Sequence, residues 1–178
     1  MLSLLASTLA ASLLSLATPA PPTTQAPPDL SDPEVAHVAV TANTIDIDLG
    51  KLAQTRAQNE DVKAFGAAMV NAHGGVNQQA AALAKKLGVT PKDNAVSQSL
   101  EKDAQQAKSH LATLKGAAFD RAYIEREIAY HQAVLDAIDK VLLPTTDNAE
   151  LKQLLTDVRP AIASHLERAR QIQGALKK

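Results

Sequence analysis

The sequence predicts an all-α protein in which four long helices pack as a bundle and an extra, shorter helix lies in the crossover between the second and third of them. Three observations lead to this fold class. Hydrophobic residues make up 46% of the 178 residues and charged residues 21%, as in a globular domain. After Pro33 the chain is rich in alanine and holds only three more prolines. Apolar side chains then recur every three or four residues, which is the period of an amphipathic helix.

The beginning of the chain is predicted to lie outside this bundle. Residues 2–17 are apolar, too short for a membrane span of roughly 20 residues, and typical of a secretory signal. We therefore predict a signal peptide over 1–17 and export to the periplasm, the outer membrane or the medium, with an uncleaved N-terminal anchor as the alternative. Residues 18–33 hold six of the nine prolines and form a predicted linker. The bundle domain is left with residues 34–178.

The first two long helices are predicted over about 33–57 and 60–87. Ser31 or Asp32 can cap the first, with Pro33 at its first helical position. Its apolar seam consists of Val35, Val38, Ala42, Ile45, Leu49 and Leu52. Gly88 ends the second helix. The seam of that helix consists of Val62, Gly66, Met69, His73, Val76, Ala80, Leu83 and Leu87.

The crossover helix is predicted over about 95–114, and the remaining long helices over about 117–143 and 148–176. Pro144 closes the third long helix, whose seam consists of Ile124, Ile128, His131, Leu135, Ile138 and Leu142. Asp147 or Asn148 caps the fourth. Its seam consists of Leu151, Leu155, Val158, Ile162, His165, Ala169, Ile172 and Leu176. A kink is expected at Pro160, because proline removes one backbone hydrogen bond from the helix.

Three of the five histidines fall on the seams of three different long helices: His73, His131 and His165. If the first helix runs up, the short turn between the first two long helices, near residue 58, lies at the top, and the turn between the last two, near residue 146, lies at the bottom. His73 then lies 15 residues below the top turn. His131 lies 15 residues above the bottom turn, so both are about 22 Å from an end of a bundle ~40 Å long. His165 lies about one turn higher than His131. The spacing therefore predicts one histidine cluster near the middle of the bundle.

Two carboxylates are expected near this cluster. Glu127 precedes His131 by one turn, and Asp48 lies beside the seam of the first helix. Imidazoles and carboxylates on facing helices can hold zinc, copper or iron. The candidate metal ligands are His73, His131, His165, Glu127 and Asp48. The alternative is a metal-free polar layer, in which the carboxylates only accept hydrogen bonds from the histidines.

Composition and motifs exclude several other functions. The 18 basic and 19 acidic residues leave a net charge of -1, which argues against nucleic-acid binding. The absence of cysteine excludes disulfides, thiolate metal sites and a cysteine nucleophile. The sequence holds no phosphate-binding loop and no His-Glu-x-x-His motif. A metal-dependent redox activity is the one enzyme class that stays open. His37 and His110 lie off the seams and are predicted to be surface residues.

Several stretches resemble the motifs of one bacterial family. They are Ile47–Ala53, Val62–Phe65 with Met69–His73, Gly116–Tyr123 with His131, and Pro160 with His165 and Leu166. The stretch Gly116–Tyr123 is the most specific match. Asp48 and Ala72 depart from the family pattern, which usually has Glu and Asp there. The family is the domain-of-unknown-function family 4142, and the resemblance implies a ferritin-like bundle and an exported or outer-membrane protein, without an established chemistry.

Two functions are consistent with these observations. The first is a non-enzymatic envelope or stress-associated protein that acts through its surfaces, on a second copy of itself or on an envelope partner, with the histidines as a polar layer in the core. The second is a metal-binding protein that uses the histidine and carboxylate cluster inside the bundle. For the mature chain we expect no transmembrane domain.

Overall fold

The computed structural model describes residues 28–177. The helices in this range are α1 (Asp32–Arg56), α2 (Glu60–Leu87), α3 (Ala95–Thr113), α4 (Gly116–Ala137), α5 (Leu143–Thr145) and α6 (Ala149–Leu176). A π-helical turn over Ile138–Leu142 joins α4 to α5. The described range contains no strand, and the predicted all-α fold class is confirmed. The predicted signal peptide and most of the predicted linker lie outside the described residues.

The four long helices form the predicted bundle. α1 packs against α2 and α4, and α6 packs against α4 and α2, so each long helix touches two others. The short α3 runs back along the outside of α1 and α4 as the crossover. Within residues 28–177, no helix combines the length and the apolar character needed to cross a lipid bilayer.

Two aspartates fix how the helix pairs are placed along the bundle axis. At the lower end, Asp32 of α1 accepts hydrogen bonds of 2.9 and 3.0 Å from the two backbone N–H groups that precede α6. At the upper end, Asp120 of α4 accepts bonds of 3.0 and 2.9 Å from the two N–H groups that precede α2. Asn59 and Asn148 then cap α2 and α6. The turn between α1 and α2 is therefore bonded to α4, and the turn before α6 is bonded to α1. These bonds set the heights of the side chains on all four helices.

Two local features differ from the prediction. The third long helix was expected to be regular to residue 143, but its end is the π-helical turn. Pro144 follows this turn and has no N–H to offer the carbonyl group of Lys140, so a regular α-helical bond is missing there. Leu30, assigned to the linker by sequence, is buried against the lower part of the bundle. α6 is helical through Pro160. The kink expected at this proline stays a prediction.

The interior is divided into two hydrophobic clusters. The upper core is built around Phe65, Met69, Phe119 and Tyr123, and the lower core consists of residues such as Val35, Leu135, Ile138 and Leu155. In the upper core α1 and α2 come close at Gly50 and Gly66. A Cβ atom on either glycine would lie 2.7 Å from the carbonyl oxygen of the other. Polar side chains separate the two clusters.

Candidate metal centre

The polar side chains between the upper and lower cores come from all four long helices. We call this group the polar layer, and it consists of Asn43, Asp46, His73, Glu127, His131 and His165. His165 is partly exposed and the other five are buried. Buried polar groups are rarely left without partners. The hydrogen bonds that these six side chains make, and those that they lack, therefore indicate which kind of ligand the layer can bind.

The structure brings together the three histidines that the seam spacing singled out. Their ring centroids lie 5.9 Å apart for His73 and His131, 5.3 Å for His73 and His165, and 5.5 Å for His131 and His165. One ligand nitrogen of each ring lies within 4.8 Å of one nitrogen of each other ring. The three rings come from α2, α4 and α6, so the cluster depends on the whole bundle and not on one helix pair.

Two of these rings are oriented through their Nδ1 atoms. Nδ1 of His131 lies 2.9 Å from the carbonyl oxygen of Glu127, which can only accept, so Nδ1 carries the proton and donates it. Nδ1 of His73 lies 2.8 Å from Oδ1 of Asn43, again an acceptor. In the neutral rings both Nε2 atoms therefore keep a free lone pair. A histidine that ligates a metal through one nitrogen commonly donates its other N–H in this way.

The carboxylate of Asp46 faces both of these nitrogens. Its Oδ2 atom lies 3.0 Å from Nε2 of His73 and 3.4 Å from Nε2 of His131. Within the described part of the chain, neither Nε2 atom has an aligned hydrogen-bond partner, and neither does Nδ1 of His165. Lone pairs on nitrogen and a carboxylate oxygen thus face one another. Such an arrangement is stabilised by a cation between them, either a proton or a metal ion.

Three groups of the polar layer have lowered pKa values: the imidazoles of His131 and His165 and the carboxyl of Asp46. Burial lowers the pKa of His131, although the charge of Asp46 opposes this. Burial, together with the nearby His131 and His73, lowers the pKa of His165 to about 4. Burial disfavours ionisation of Asp46, but the adjacent His73 and His131 outweigh it and hold the pKa of that carboxyl below its usual range. At neutral pH the imidazoles of His131 and His165 are therefore neutral, as metal ligation by histidine requires.

Glu127 lies on the other side of His131. Its Oε2 atom is 3.5 Å from Nδ1 of His131, and its Oε1 atom is 2.9 Å from the guanidinium of Arg126. Burial, followed by the charge of Asp46, raises the pKa of Glu127 well above its ordinary value. Asp46, Glu127 and His131 form a second group with ligand atoms within 4.8 Å. Glu127 is nevertheless directed at the ring nitrogen that already donates, so it supports His131.

Asp48, the carboxylate expected from α1, does not belong to the polar layer. Its side chain is 55% exposed and lies 3.8 Å from the ammonium of Lys51 on the outer surface of α1. Asp46 takes the inner position. The two differ because a helix turns about 100° per residue, which places residues 46 and 48 about 200° apart around α1. Asp46 is in line with Gly50 and Ala53, which are both buried, and the two small residues at this helical spacing are the sequence signal that could have identified it.

Two further residues of the site were not predicted. Asn43, which accepts from His73, lies one turn before Asp46 on the same buried face. The guanidinium of Arg126 lies 4.0 Å from the ring centroid of Tyr130 and 4.0 Å from Oδ1 of Asp46. The hydroxyl of Tyr130 donates to the carbonyl oxygen of Ala42 at 2.9 Å. No motif marks Arg126, because its role depends on the contact between α4 and α1.

The remaining two histidines lie away from the polar layer. His110 is exposed near the end of α3, as predicted. His37 is partly exposed, and its Nδ1 atom lies 3.9 Å from a carboxylate oxygen of Asp93. Both provide matched controls for the three clustered histidines.

The fold and the site together define a four-helix-bundle protein with a buried histidine and carboxylate cluster. The chain belongs to the family described as domain of unknown function DUF4142, which matches residues 17–172. Among solved structures it is similar to CopM in the Cu(II)-bound form, with 15% sequence identity and a TM-score of 0.62. That similarity covers 83% of this chain and 99% of the CopM chain, and it concerns the fold. None of the curated proteins matches the chain.

Proposed function

We propose that the protein binds one divalent transition-metal ion in the polar layer, with His73, His131 and His165 as nitrogen ligands and Asp46 as the carboxylate ligand. One observation carries this proposal. Three imidazole nitrogens from three helices converge, and within residues 28–177 none of them has a hydrogen-bond partner. Asn43 and the carbonyl group of Glu127 hold two of the rings with their Nε2 atoms free.

The ligand set favours copper and zinc. Three imidazoles and a carboxylate suit both Cu(II) and Zn(II). Metal–nitrogen bonds of about 2.0–2.1 Å put tetrahedral ligand atoms roughly 3.4 Å apart. The histidine nitrogens lie within 4.8 Å of each other, so modest side-chain rotations bring them to that spacing. Among divalent first-row metals a given site binds Cu(II) most tightly, and the similar fold of CopM is described in its Cu(II)-bound form. We expect Cu(II) to bind most tightly, then Zn(II), then Fe(II).

The same ligand count favours metal binding over catalysis. In zinc sites four protein ligands complete the tetrahedral sphere, whereas catalytic zinc sites keep a position open for water or substrate. We therefore propose a protein that holds or carries the ion. We also propose that it does so after export, on the basis of the apolar segment 2–17, which lies outside the described residues.

The direct test is a metal titration of the protein purified without a polyhistidine tag. Cu(II), Zn(II) and Fe(II) are titrated by calorimetry, and Cu(II) is also followed by electron paramagnetic resonance, which reports coordinating nitrogens. We expect one Cu(II) per chain with nitrogen coupling. The variant with His73→Ala, His131→Ala and His165→Ala should lose this binding. The variant with His37→Ala and His110→Ala should keep it.

Folding has to be checked in the same experiment, because the triple variant opens a space in the core. Circular dichroism shows whether it is still helical, and His165→Ala provides a milder variant because His165 is partly exposed. His165→Ala should weaken Cu(II) binding and reduce the nitrogen coupling. If the intact protein binds no stoichiometric metal, the polar layer is an internal hydrogen-bonded layer. The function would then lie in surface contacts with a second copy or an envelope partner.

A further inference from the structure

His165 differs from the other two histidines of the polar layer in its contact with solvent. It is partly exposed, whereas His73 is 5% exposed and His131 is 1% exposed. Its Nδ1 atom is nevertheless closed to solvent and has no hydrogen-bond partner in residues 28–177. One ring nitrogen of His165 therefore lies in the interior, while another part of the residue reaches solvent.

Hydrogen bonds orient His73 and His131 but not the buried nitrogen of His165. Asn43 accepts from Nδ1 of His73 at 2.8 Å, and the carbonyl oxygen of Glu127 accepts from Nδ1 of His131 at 2.9 Å. Turning either of these rings away from the cluster breaks such a bond. Within the described residues, the buried nitrogen of His165 has no bond to lose. His165 is therefore the easiest of the three imidazoles to displace.

Two ion pairs mark the surface along which α2 and α6 face one another. Asp61 of α2 lies 3.0 Å from the guanidinium of Arg168 of α6. Lys86 of α2 pairs with Glu150 of α6 at the lower end. Glu150 and Arg168 are five helical turns apart, so they lie on one line along α6, and Asp61 and Lys86 lie on one line along α2. We call the strip between the two ion pairs the α2–α6 junction.

His165 lies on the side of α6 that is turned towards this junction. It is three residues before Arg168, which places the two about 60° apart around the helix axis. Arg170, which donates to Gln132 of α4 at 3.3 Å, is five residues after His165 and about 140° away from it. The solvent-exposed part of His165 therefore opens beside α2, away from the contact between α6 and α4.

Two alanines border the junction beside the histidine cluster. Ala72 lies about three turns after Asp61, on the line of α2 that faces α6. Ala161 lies about three turns after Glu150 on the facing line of α6, and about one turn before His165. Ala72 is partly exposed and Ala161 is exposed. Their methyl groups cover the cluster less than longer side chains would at the same positions.

Three other approaches to the polar layer are unfavourable for a cation. Between α1 and α2 the backbones meet at Gly50 and Gly66. Between α1 and α4 lies the guanidinium of Arg126, which repels a metal ion. Below the layer, the groove along α2 and α6 is apolar, and the carboxylate of Asp32, its one charged lining residue in the described range, already accepts two N–H groups. A divalent ion would lose its hydration there without gaining a counter-charge.

We propose that His165 is the ligand through which the metal ion is exchanged, and that the ion passes between Ala72 and Ala161. This inference rests on the proposed metal centre. On uptake the three buried ligands replace water on the ion, and His165 binds last. On release the bond between the ion and His165 breaks first, and the lone pair of a water molecule or of an incoming ligand takes its place.

The test measures the rates of Cu(II) exchange in the full chain. Stopped-flow mixing records the uptake of Cu(II), and excess EDTA then records its release. Ala72→Leu with Ala161→Leu covers the junction, so both rates should fall at least about tenfold while Kd changes less than about threefold, because no ligand is altered. The control variant, Ala82→Leu with Ala133→Leu, makes the same changes at exposed positions of α2 and α4. It should exchange Cu(II) at the rates of the parent protein.

A second pair of variants examines the order in which the ligands bind. His165→Ala should speed release at least about tenfold and leave the uptake rate within about twofold, because the buried ligands take up the ion before His165 binds. His73→Ala should slow uptake as well, because His73 is one of those buried ligands. A residue that only supports the fold would not divide the two rates in this way.

Circular dichroism shows whether the junction variant is still helical. Ala161→Leu, at an exposed position, is the milder variant and should slow both rates in the same direction. If one Cu(II) binds per chain but the junction variants exchange it at the parent's rates, the metal centre stands and the exchange route is wrong. Equal slowing in the control variant, or equally slow uptake in His165→Ala and His73→Ala, also overturns the route. An intact protein without stoichiometric Cu(II) binding overturns the metal centre and the route together.

Discussion

Oδ2 of Asp46 lies 3.0 Å from Nε2 of His73, so α1 and α2 meet in the middle of the bundle through a carboxylate and an imidazole. This pair is nearly closed to solvent, with 1% of the Asp46 side chain and 7% of the His73 side chain exposed. The same oxygen atom lies 3.4 Å from His131. Asp46 of α1 therefore faces one histidine of α2 and one of α4 with a single carboxylate oxygen.

The first prediction compares the two aspartates of α1. Asp46→Asn keeps the size of the side chain and removes its negative charge, so Cu(II) affinity should fall by roughly tenfold or more. Asp48→Asn makes the same change on the outer surface and should leave Cu(II) affinity unaltered. Calorimetric titration of both variants measures the difference. Equal affinities in the two variants would remove Asp46 from the ligand set.

The second prediction concerns pH and the metal-free protein. The pKa of His165 is about 4 in the fold, against an ordinary value of 6.5 in the unfolded chain. Between these values the unfolded chain binds more protons, so the free energy of unfolding should fall as the pH is lowered from about 6.5 to 4. The lowered pKa of His131 has an effect of the same sign. Asp46 contributes mainly below this window, because its pKa lies below its ordinary value of 3.8.

Urea unfolding at pH 7 and pH 4.5 measures this effect. The parent protein should lose more stability between the two pH values than His165→Leu does, since the variant has no imidazole to protonate at that position. His110→Leu, on the exposed end of α3, should behave as the parent does. An unchanged pH dependence in His165→Leu would show that this imidazole titrates normally in the fold.

The third prediction concerns the close approach of α1 and α2. Gly66→Ala would place a Cβ atom 2.7 Å from the carbonyl oxygen of Gly50 and 2.9 Å from Cβ of Ala53. The helices must separate to accept it, and overpacking of this kind costs about 1–3 kcal/mol. Gly174→Ala has no neighbour among the described residues within 4 Å of its new Cβ atom, so it should raise stability by about 0.5–1 kcal/mol. Chemical denaturation of both variants tests the opposite signs.

The fourth prediction concerns the upper turn. Asp120 is 2% exposed, and its carboxylate accepts the backbone N–H groups of Gln58 and Asn59. Asp120→Ala leaves both donors without this acceptor and should lower the free energy of unfolding by about 2–3 kcal/mol. Asp103→Ala, at an exposed position on α3, should change it by less than about 0.5 kcal/mol. A loss below about 1 kcal/mol for Asp120→Ala would mean that water replaces the carboxylate.

The helices themselves were predictable to within a few residues, because their signals are local. Asn59 and Asn148 each accept two backbone N–H groups at the start of a helix, and Gly88 has the left-handed conformation that ends one. The meeting of the three histidines was also predictable. The heights of His73 and His131 follow from counting residues from the turns, once the helices are known to pair with short connections.

The choice between Asp46 and Asp48 was not predictable from the apolar seam alone. Both lie within a few residues of Ile45 and Leu49. Which of the two side chains points into the bundle depends on the face of α1 that packs against α2 and α4. The role of Arg126 likewise depends on a contact between α4 and α1. Below the polar layer, small side chains on α2 face large ones on α6 and leave an apolar groove, a relation between residues that are distant in sequence.

Helix propensity, capping and apolar period act over a few residues, so the order and the ends of these helices are encoded in short stretches of the chain. The polar layer, by contrast, arises between helices, and so does the apolar groove below it. Each depends on the rotation of one helix against another and on the burial that results, and those quantities are defined only when the four helices are packed together.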